Sequence, residues 1–415
     1  MEVLKIATAG SVDDGKSTLI GRLLYDTNSL TDDKIEAIKN SSQKRGYDYL
    51  DFSLATDGLV AEREQGITID VAHIYFSTSN KSYIIADTPG HVEYTRNMVT
   101  GASTSQVAII LIDARKGVIE QTYRHFFINN LLRIKDVIVA INKMDLVGYD
   151  QSVFEDIKQN FEKLNKNSTY SEQNVSYIPV SALKGDNIVE KSNEMAWYQG
   201  ETILQHLENL HTEDVSEERQ SRFSVQTVIR PKTDEFHDFR GFAGKINGGS
   251  FRVGDEITVL PSMTTSMIKS IYFYDKMFQE AKAGSSVTIM LEDEINIARG
   301  DMLVKSDELP KVEKDLTATV CWMDSKHLKS GAKYWVQHNT NKVLSKITAI
   351  DNVIATDFSG SKEANNKLAL NEIGEVKLKL AKPIFHDTYV SNKSNGAFIL
   401  IDEHTNATAG VGFIN

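Results

Sequence analysis

The 415-residue sequence predicts a doubly wound, mostly parallel α/β domain followed by two antiparallel β-barrel domains. Three observations carry this. Short apolar runs alternate with segments of helical spacing as far as residue 210. A polar, charged stretch at 211–221 then interrupts the pattern and reads as a linker. Beyond it, short β-like runs punctuated by Gly, Asn and Asp succeed one another with little helical spacing.

The elements follow in order. Residues 3–9 are an apolar run that ends at a glycine-rich turn. Residues 82–86, 107–114, 137–141 and 176–180 are further short runs rich in Ile and Val, suited to parallel strands covered on both faces. Between them, 121–134 gathers Phe126, Phe127, Ile128, Leu131 and Leu132 on one side. The segment 153–164 places Val153, Ile157, Phe161 and Leu164 at steps of three and four, and 200–210 is the last helical segment. In the second half, strands are predicted over 223–229, 242–246, 256–260, 286–291, 317–322, 334–338, 346–350, 373–380 and 397–402, with Asn247-Gly248-Gly249 as one of the turns. The charged stretch 306–314, with Pro310, separates two barrels of similar length. The expected domains are therefore 1–215, 221–308 and 314–415.

Composition narrows the function classes. Hydrophobic residues make up 41% and charged residues 25%, the profile of a globular protein. With 46 Lys+Arg against 57 Asp+Glu, the net charge is −11, which argues against a general binder of DNA or anionic membranes. The imbalance is local: residues 1–220 hold 22 basic and 33 acidic side chains, whereas 221–415 hold 24 of each. The single Cys321 leaves no intramolecular disulfide framework and no multi-cysteine metal site. The start, Met1-Glu2-Val3-Leu4-Lys5, does not have the form of a secretory signal, and no apolar stretch approaches the roughly 20 residues of a membrane helix. A cytoplasmic protein is expected.

The chemistry begins at Gly10-Ser11-Val12-Asp13-Asp14-Gly15-Lys16-Ser17, which matches G-x-x-x-x-G-K-[ST] between an apolar strand and the helical segment from Thr18 to Leu24. Its glycines let backbone N–H groups wrap phosphates, Lys16 reaches the β- and γ-phosphates, and the Ser17 hydroxyl ligates Mg²⁺. The helix N-terminus adds a favourable dipole for an anion. Asp87-Thr88-Pro89-Gly90-His91 follows the run 82–86, so its acid falls at the ligand-binding edge of a parallel sheet. Asp87 is expected to hold Mg²⁺ through water and Gly90 N–H to face the γ-phosphate, although this box alone is equally an ordinary turn. Thr68, in Gly66-Ile67-Thr68-Ile69-Asp70, is a candidate Mg²⁺ and γ-phosphate contact on a loop that loosens after hydrolysis; a lone Thr is otherwise a plain β-former.

The base is read further on. Asn142-Lys143-Met144-Asp145 ends the strand 137–141. Asp145 can accept from guanine N1–H and the 2-amino group, donors that adenine lacks, and a site built for such pairing rejects the analogue strongly. Asn142 can meet N7, the Lys143 stem can cover the ring, and Ser181-Ala182-Leu183 offers a backbone N–H to O6. Each box is weak alone. Their joint order, each at a strand end, points to GTP and GDP with Mg²⁺, and to an α/β P-loop GTPase domain.

Together these residues resemble the translation-factor class of GTPases, through Arg63-Glu64-x-Gly66-Ile67-Thr68-Ile69 as well as the boxes above. The resemblance implies that His91 is catalytic and orients the attacking water, the other reading being a structural histidine. It also implies an apolar gate from Val12 and Ile67 and a monovalent-cation role for Asp13. Within the class, the chain is similar to the family of large, GTPase subunits of bacterial ATP sulfurylase (sulfate adenylyltransferase subunit 1). Asp57-Gly58-Leu59, Asp113-Ala114-Arg115-Lys116-Gly117-Val118, Trp197-Tyr198-x-Gly200, Asp238-Phe239-Arg240-Gly241-Phe242 and Leu291-Glu292-Asp293-Glu294-Ile295 carry that likeness over nearly the whole chain. Residues 233–237 read as a small insertion, and the third domain matches more thinly, at Trp322-Met323, Tyr334 and Gln337-His338.

That family couples GTP hydrolysis to the synthesis of adenosine 5′-phosphosulfate and pyrophosphate from ATP and sulfate on a separate small catalytic subunit. The implied partner is therefore that subunit, in a heterodimer or higher heteromer. No His-x-Gly-His or Ser-Gly-Gly-x-Asp-Ser motif of the adenylyl-transfer step occurs in the chain, consistent with that division. A kinase domain fused at the C-terminus in some relatives is not expected, since the chain ends at the barrel. The alternative is an elongation factor delivering aminoacyl-tRNA, which shares the same domains. The electrically neutral second half disfavours a long RNA contact.

Overall fold

The computed structural model describes all residues except 1, 45, 47–48, 56–69, 91–94, 171, 211–219 and 232–238. The chain divides into two compact units. The first is Met1–Thr212 with Ala355–Gly360, and the second is Glu213–Ile354 with Ser361–Asn415.

The first unit is built on a six-stranded sheet. Its strands are β1 (Glu2–Ala9), β2 (Ala72–Ser77), β3 (Lys81–Asp87), β4 (Val107–Asp113), β5 (Asp136–Asn142) and β6 (Asn174–Pro179), in the spatial order β2-β3-β1-β4-β5-β6. All neighbours are parallel except the edge pair β2–β3. The apolar runs predict this: β4, buried at all seven positions, lies between β1 and β5. The helices are α1 (Lys16–Asp26), α2 (Asp32–Lys44), α3 (Thr95–Ala102), α4 (Glu120–Leu131), α5 (Gln151–Lys166) and α6 (Ile203–Asn209). In α1, Leu19, Ile20, Leu23 and Leu24 bury one side against Leu4, Ile6, Ile109, Leu111 and Ile138. On α4 and α5, Phe126 and Phe161 meet ring to ring at 4.9 Å. Asp150 caps α5 by accepting from Ser152 N at 2.7 Å, and Thr202 caps α6 with Gln205 in a reciprocal box.

Strand β2 and helices α2 and α3 were not expected from the sequence. Strand β2 buries only Phe76 of its six residues, so no apolar run marks it, and α2 buries only Ile38 and Ser42 among its thirteen residues.

The second unit holds two closed antiparallel barrels. In the first, Glu256–Leu260, Met302–Lys305, Arg222–Ile229, Gly241–Ile246, Ser286–Leu291 and Thr264–Phe273 pair in that order, and the last returns to the first. In the second, Lys333–His338, Ala397–Asp402, Thr408–Ile414, Lys311–Trp322, Ile373–His386 and Asn341–Ile354 close in the same way. Closure removes the exposed edges that open sheets carry. The strand Lys311–Trp322 begins inside the charged stretch read as a divider, and Thr264–Phe273, Met302–Lys305 and Thr408–Ile414 were missed in the sequence.

The barrels are joined by a buried ion pair. The Arg222 guanidinium, fully buried, donates Nε and Nη2 to both oxygens of Asp387 at 2.9 Å. Its other donors reach Glu308 O at 2.6 Å, Ser221 O at 3.0 Å and Gln220 Oε1 at 2.9 Å. Asn395 Nδ2 completes Asp387 Oδ2 at 2.7 Å. Beside them, Leu260, Met302 and Val304 of one barrel pack with Phe385 of the other.

Candidate functional site

Because β1, β3, β4, β5 and β6 run parallel, their C-terminal ends lie on one edge of the sheet. The register Thr8↔Asp87, Asp113↔Asn142 and Ile141↔Pro179 fixes the loops that leave them side by side.

The loop after β1 is held in a shape that demands left-handed backbone. Asp13 has φ 69° and Gly15 φ 92°, and Gly15 is the N-cap of α1. Asp14 N donates to Ser11 O at 3.1 Å, while Ser11 N donates back to Asp14 Oδ2 at 2.7 Å. Gly10 is buried, and Val12 and Asp13 are exposed. Lys16, Ser17 and Thr18 form the first turn of α1, where backbone N–H groups have no partner within the helix. The Lys16 ammonium reaches across to Asp87 Oδ1, and both side chains are buried. Thr8 Oγ1 also donates to Asp87 Oδ1 at 3.3 Å, and Thr88 Oγ1 donates to Thr8 O at 2.6 Å.

Thr88, Pro89 and Gly90 are buried against the same loop. A Cβ placed on Gly90 would lie 2.0 Å from Gly10 O, so the residue type is set by contact between the two loops. Gln121 Nε2 of α4 donates to Gly90 O at 2.8 Å. His125, one helical turn on, is fully buried; burial, then the charges of Lys16 and Arg124, push its imidazole down to about 3, so it is neutral. Sequence reasoning gave no role to Gln121 or His125. His91, Thr68 and Ile67 lie outside the described residues, as does the insertion at 233–237.

The loop after β5 ties the edge together. Asn142 Nδ2 donates to Asp14 O at 2.7 Å, and its Oδ1 accepts from Ala182 N at 2.9 Å. One side chain thus joins the loop after β1 to the loop after β6. Lys143, in left-handed backbone at φ 66°, sends its ammonium to Asp13 O. Met144 is fully buried, its N–H directed to Val180 O at 3.2 Å. Asp145 is half-buried and accepts from Ser181 Oγ at 2.8 Å, while Lys184 N donates to Ser181 Oγ at 3.2 Å. Ser181 and Ala182 are buried and Leu183 half-buried.

The structure therefore brings the residues named at 10–18, 87–90, 142–145 and 181–183 to one sheet edge. It also adds a charged cluster that the motifs did not contain. Asp113, at the end of β4, meets Arg115 Nη2 at 2.6 Å and Lys143 Nζ at 3.0 Å. Burial opposes its ionisation, but the donors from Arg115 and Lys143 outweigh that and hold its carboxyl well below the usual carboxylate range. Asp14 behaves in the opposite way. Burial pushes it up to about 6, despite the Ser11 N–H and Lys116, whose ammonium is 3.7 Å away. An acid closing an otherwise wholly apolar strand was the available signal for Asp113.

Known proteins similar to this chain identify its family. The model of the elongation factor Tu GTP binding domain matches residues 1–228, and that of the GTP-eEF1A C-terminal domain-like family matches 315–415. Sulfate adenylyltransferase subunit 1 of Francisella tularensis subsp. novicida is 47% identical over 416 residues, covering 100% of this chain and 87% of that protein. The protein of the same name from Bacteroides thetaiotaomicron is 46% identical over 423 residues, covering 100% and 86%. The bifunctional enzyme CysN/CysC of Mycobacterium tuberculosis is 46% identical over 413 residues, covering 99% of this chain and 67% of that enzyme. With these loops gathered at one edge of a parallel sheet in the first unit, two closed barrels in the second and full-length identity of this size, the chain belongs to the sulfate adenylyltransferase subunit 1 family of elongation-factor-Tu-like GTPases.

Proposed function

We propose that this chain is the GTP-hydrolysing large subunit of a heteromeric sulfate adenylyltransferase in the cytoplasm. It couples GTP hydrolysis to the formation of adenosine 5′-phosphosulfate and pyrophosphate from ATP and sulfate on a separate small catalytic subunit. The observation that carries this reading is the 46–47% identity with subunit 1 proteins, which runs through both barrels as well as the nucleotide domain. A division of the chain at 1–215, 221–308 and 314–415 belongs to the same reading, supported by one open six-stranded sheet and two barrel sheets that each close separately.

In this reading, residues 10–18 wrap the phosphates and Asn142, Lys143, Asp145 and residues 181–183 hold guanine. Met144 anchors the base loop in the core. Asp145, oriented by Ser181, accepts from the two guanine donors, and adenine would leave it unpaired. The donor chemistry fits Mg²⁺: Ser17 and Asp87 offer hard oxygen ligands, and Asp87 is already placed to attract a cation, the Lys16 ammonium. Ser17, Thr68 and Asp87, the last through water, would hold that ion, which when bound offsets charge on the β- and γ-phosphates. In the same reading His91 would orient the attacking water, Val12 and Ile67 would form an apolar gate, and Asp13 would offer an oxygen ligand to a monovalent cation. Hydrolysis releases the loop around Thr68, and that release is passed to the partner.

The test is to purify the chain with its co-purifying partner and measure sulfate-dependent pyrophosphate release with and without GTP. Release that rises with GTP supports the proposal. No GTP effect, together with tight binding of aminoacyl-tRNA, overturns it in favour of a delivery factor.

A further inference from the structure

The turn after β4 has no part in the phosphate and base contacts just assigned, yet it carries two buried acids' worth of pairing. Asp113 is buried at the end of β4, beside Asn142 in the parallel register. Its Oδ1 accepts from Arg115 N and Nε, both at 3.0 Å, and its Oδ2 faces Arg115 Nη2 and Lys143 Nζ. The turn itself is pinned by Lys116 N and Gly117 N, which donate to Asp113 O at 2.9 and 3.0 Å. The carboxylate is therefore fixed in place before Lys143 reaches it. Lys116 makes a parallel link, to the buried Asp14 of the phosphate loop.

Lys143 is the residue that gains most from this. A lysine has a flexible four-carbon stem and three donors on a point charge, so an unrestrained one samples many rotamers. Here its ammonium sits between two acceptors, Asp113 Oδ2 and Asp13 O. Each acceptor is on a different loop, so the ammonium is restrained from two sides. Ordering a side chain before its ligand arrives removes an entropic cost from binding. The bidentate Arg115 keeps a second cation on Asp113, so the acid is not left without a partner when Lys143 shifts.

We propose that Asp113 is a positioning residue for guanine nucleotide: it holds the Lys143 ammonium against Asp13 O so that the lysine stem lies ready to cover the base. This rests on the guanine reading given above. It assigns the Asp113-Ala114-Arg115 turn a task in nucleotide retention that none of the nucleotide motifs includes.

The experiment compares release of mant-GDP, by stopped-flow fluorescence, from the full chain and from the variants Asp113→Asn, Lys143→Ala and the pair. A hydrogen bond to a charged group is strong enough that each single change should speed release about tenfold. Because Asp113 acts through Lys143, the pair should release no faster than Lys143→Ala alone. Additive effects, about a hundredfold in the pair, or a wild-type rate in Asp113→Asn, would overturn the proposal. Melting curves without nucleotide accompany the rates. A purely structural Asp113 lowers the melting temperature equally with or without Lys143 and shows no coupling in release, which also overturns it. Wild-type protein that binds mant-GDP no better than mant-ADP fells the guanine reading and this proposal together. Guanine selectivity with an additive pair fells this proposal alone.

Discussion

Replacing Gly90 with Ala tests whether contact between the loops after β1 and β3 sets the rate of hydrolysis. An added Cβ would meet Gly10 O at 2.0 Å and Gly10 C at 3.1 Å, where ordinary contact begins near 3.4 Å. Both are backbone atoms, so no flexible side chain can swing aside. Residue 90 itself, or the phosphate loop, must move by about 1.4 Å, the difference between 2.0 and 3.4 Å. A displacement of about 1 Å at a reacting centre costs on the order of a hundredfold in rate, so Gly90→Ala should slow single-turnover GTP hydrolysis by about that factor. The base side is tied separately, through Asp145 and Ser181, so mant-GDP affinity should change by less than about fivefold, the reach of a 1 kcal/mol effect. The assay is single-turnover hydrolysis of γ-labelled GTP at saturating enzyme, with a melting curve to confirm folding. A rate within about threefold of wild type would refute the reasoning, since the clash would then have relaxed without moving the reacting groups.

Other expectations follow from the same geometry. Asp145→Asn should shift preference from guanine toward xanthine nucleotides in competition binding; retained guanine selectivity would contradict the role of Asp145. Asp14 gives a pH dependence whose sign is set by its raised pKa. The folded carboxyl holds its proton to about 6 whereas the unfolded one loses it near 3.8, so stability falls as pH rises through that window. Asp14→Asn should therefore stabilise the chain by up to ~3 kcal/mol above pH 6 and by little below pH 4. Chemical denaturation at several pH values reads this, and a difference flat with pH would exclude it. Asp387→Asn leaves the buried Arg222 guanidinium without a counter-charge and should cost about 3–5 kcal/mol, seen as an earlier barrel transition by Trp322 fluorescence. A loss under about 1 kcal/mol would mean that Ser221, Glu308 and Gln220 alone suffice for Arg222.

Much of this was legible in the sequence, for a physical reason. Parallel strands covered on both faces must be apolar throughout, so β1, β3, β4 and β5 announce themselves, and the motif residues that end them acquire a common location. Strand β2 escaped because an exposed edge needs no apolar run, and α2 because it buries so little. In the barrels, Thr264–Phe273 was missed because its buried Ser266 and Ser270 break the apolar alternation. In the site, residue types gave Asp87 and Asp145, since a fixed spacing from a strand end limits where an acid can go. They gave neither the bridge made by Asn142 nor the grip of Asp113 on Lys143, because those depend on which loops become neighbours across the sheet.

The Arg222–Asp387 pair bears on how such chains can be recombined. Two hydrogen-bonded rings that each close on themselves look like interchangeable modules, ready to be cut between Lys305 and Lys311 and exchanged one at a time. The charges say otherwise. A first barrel inherited alone would carry a guanidinium whose partner stayed behind, and a second would carry the orphaned carboxylate together with Asn395. Either transplant starts with a desolvated ion to accommodate, a heavier burden than any loop mismatch at the junction. The unit of inheritance is therefore the barrel pair, and a chimera that swaps a single barrel must bring both Arg222 and Asp387 from one parent or replace both.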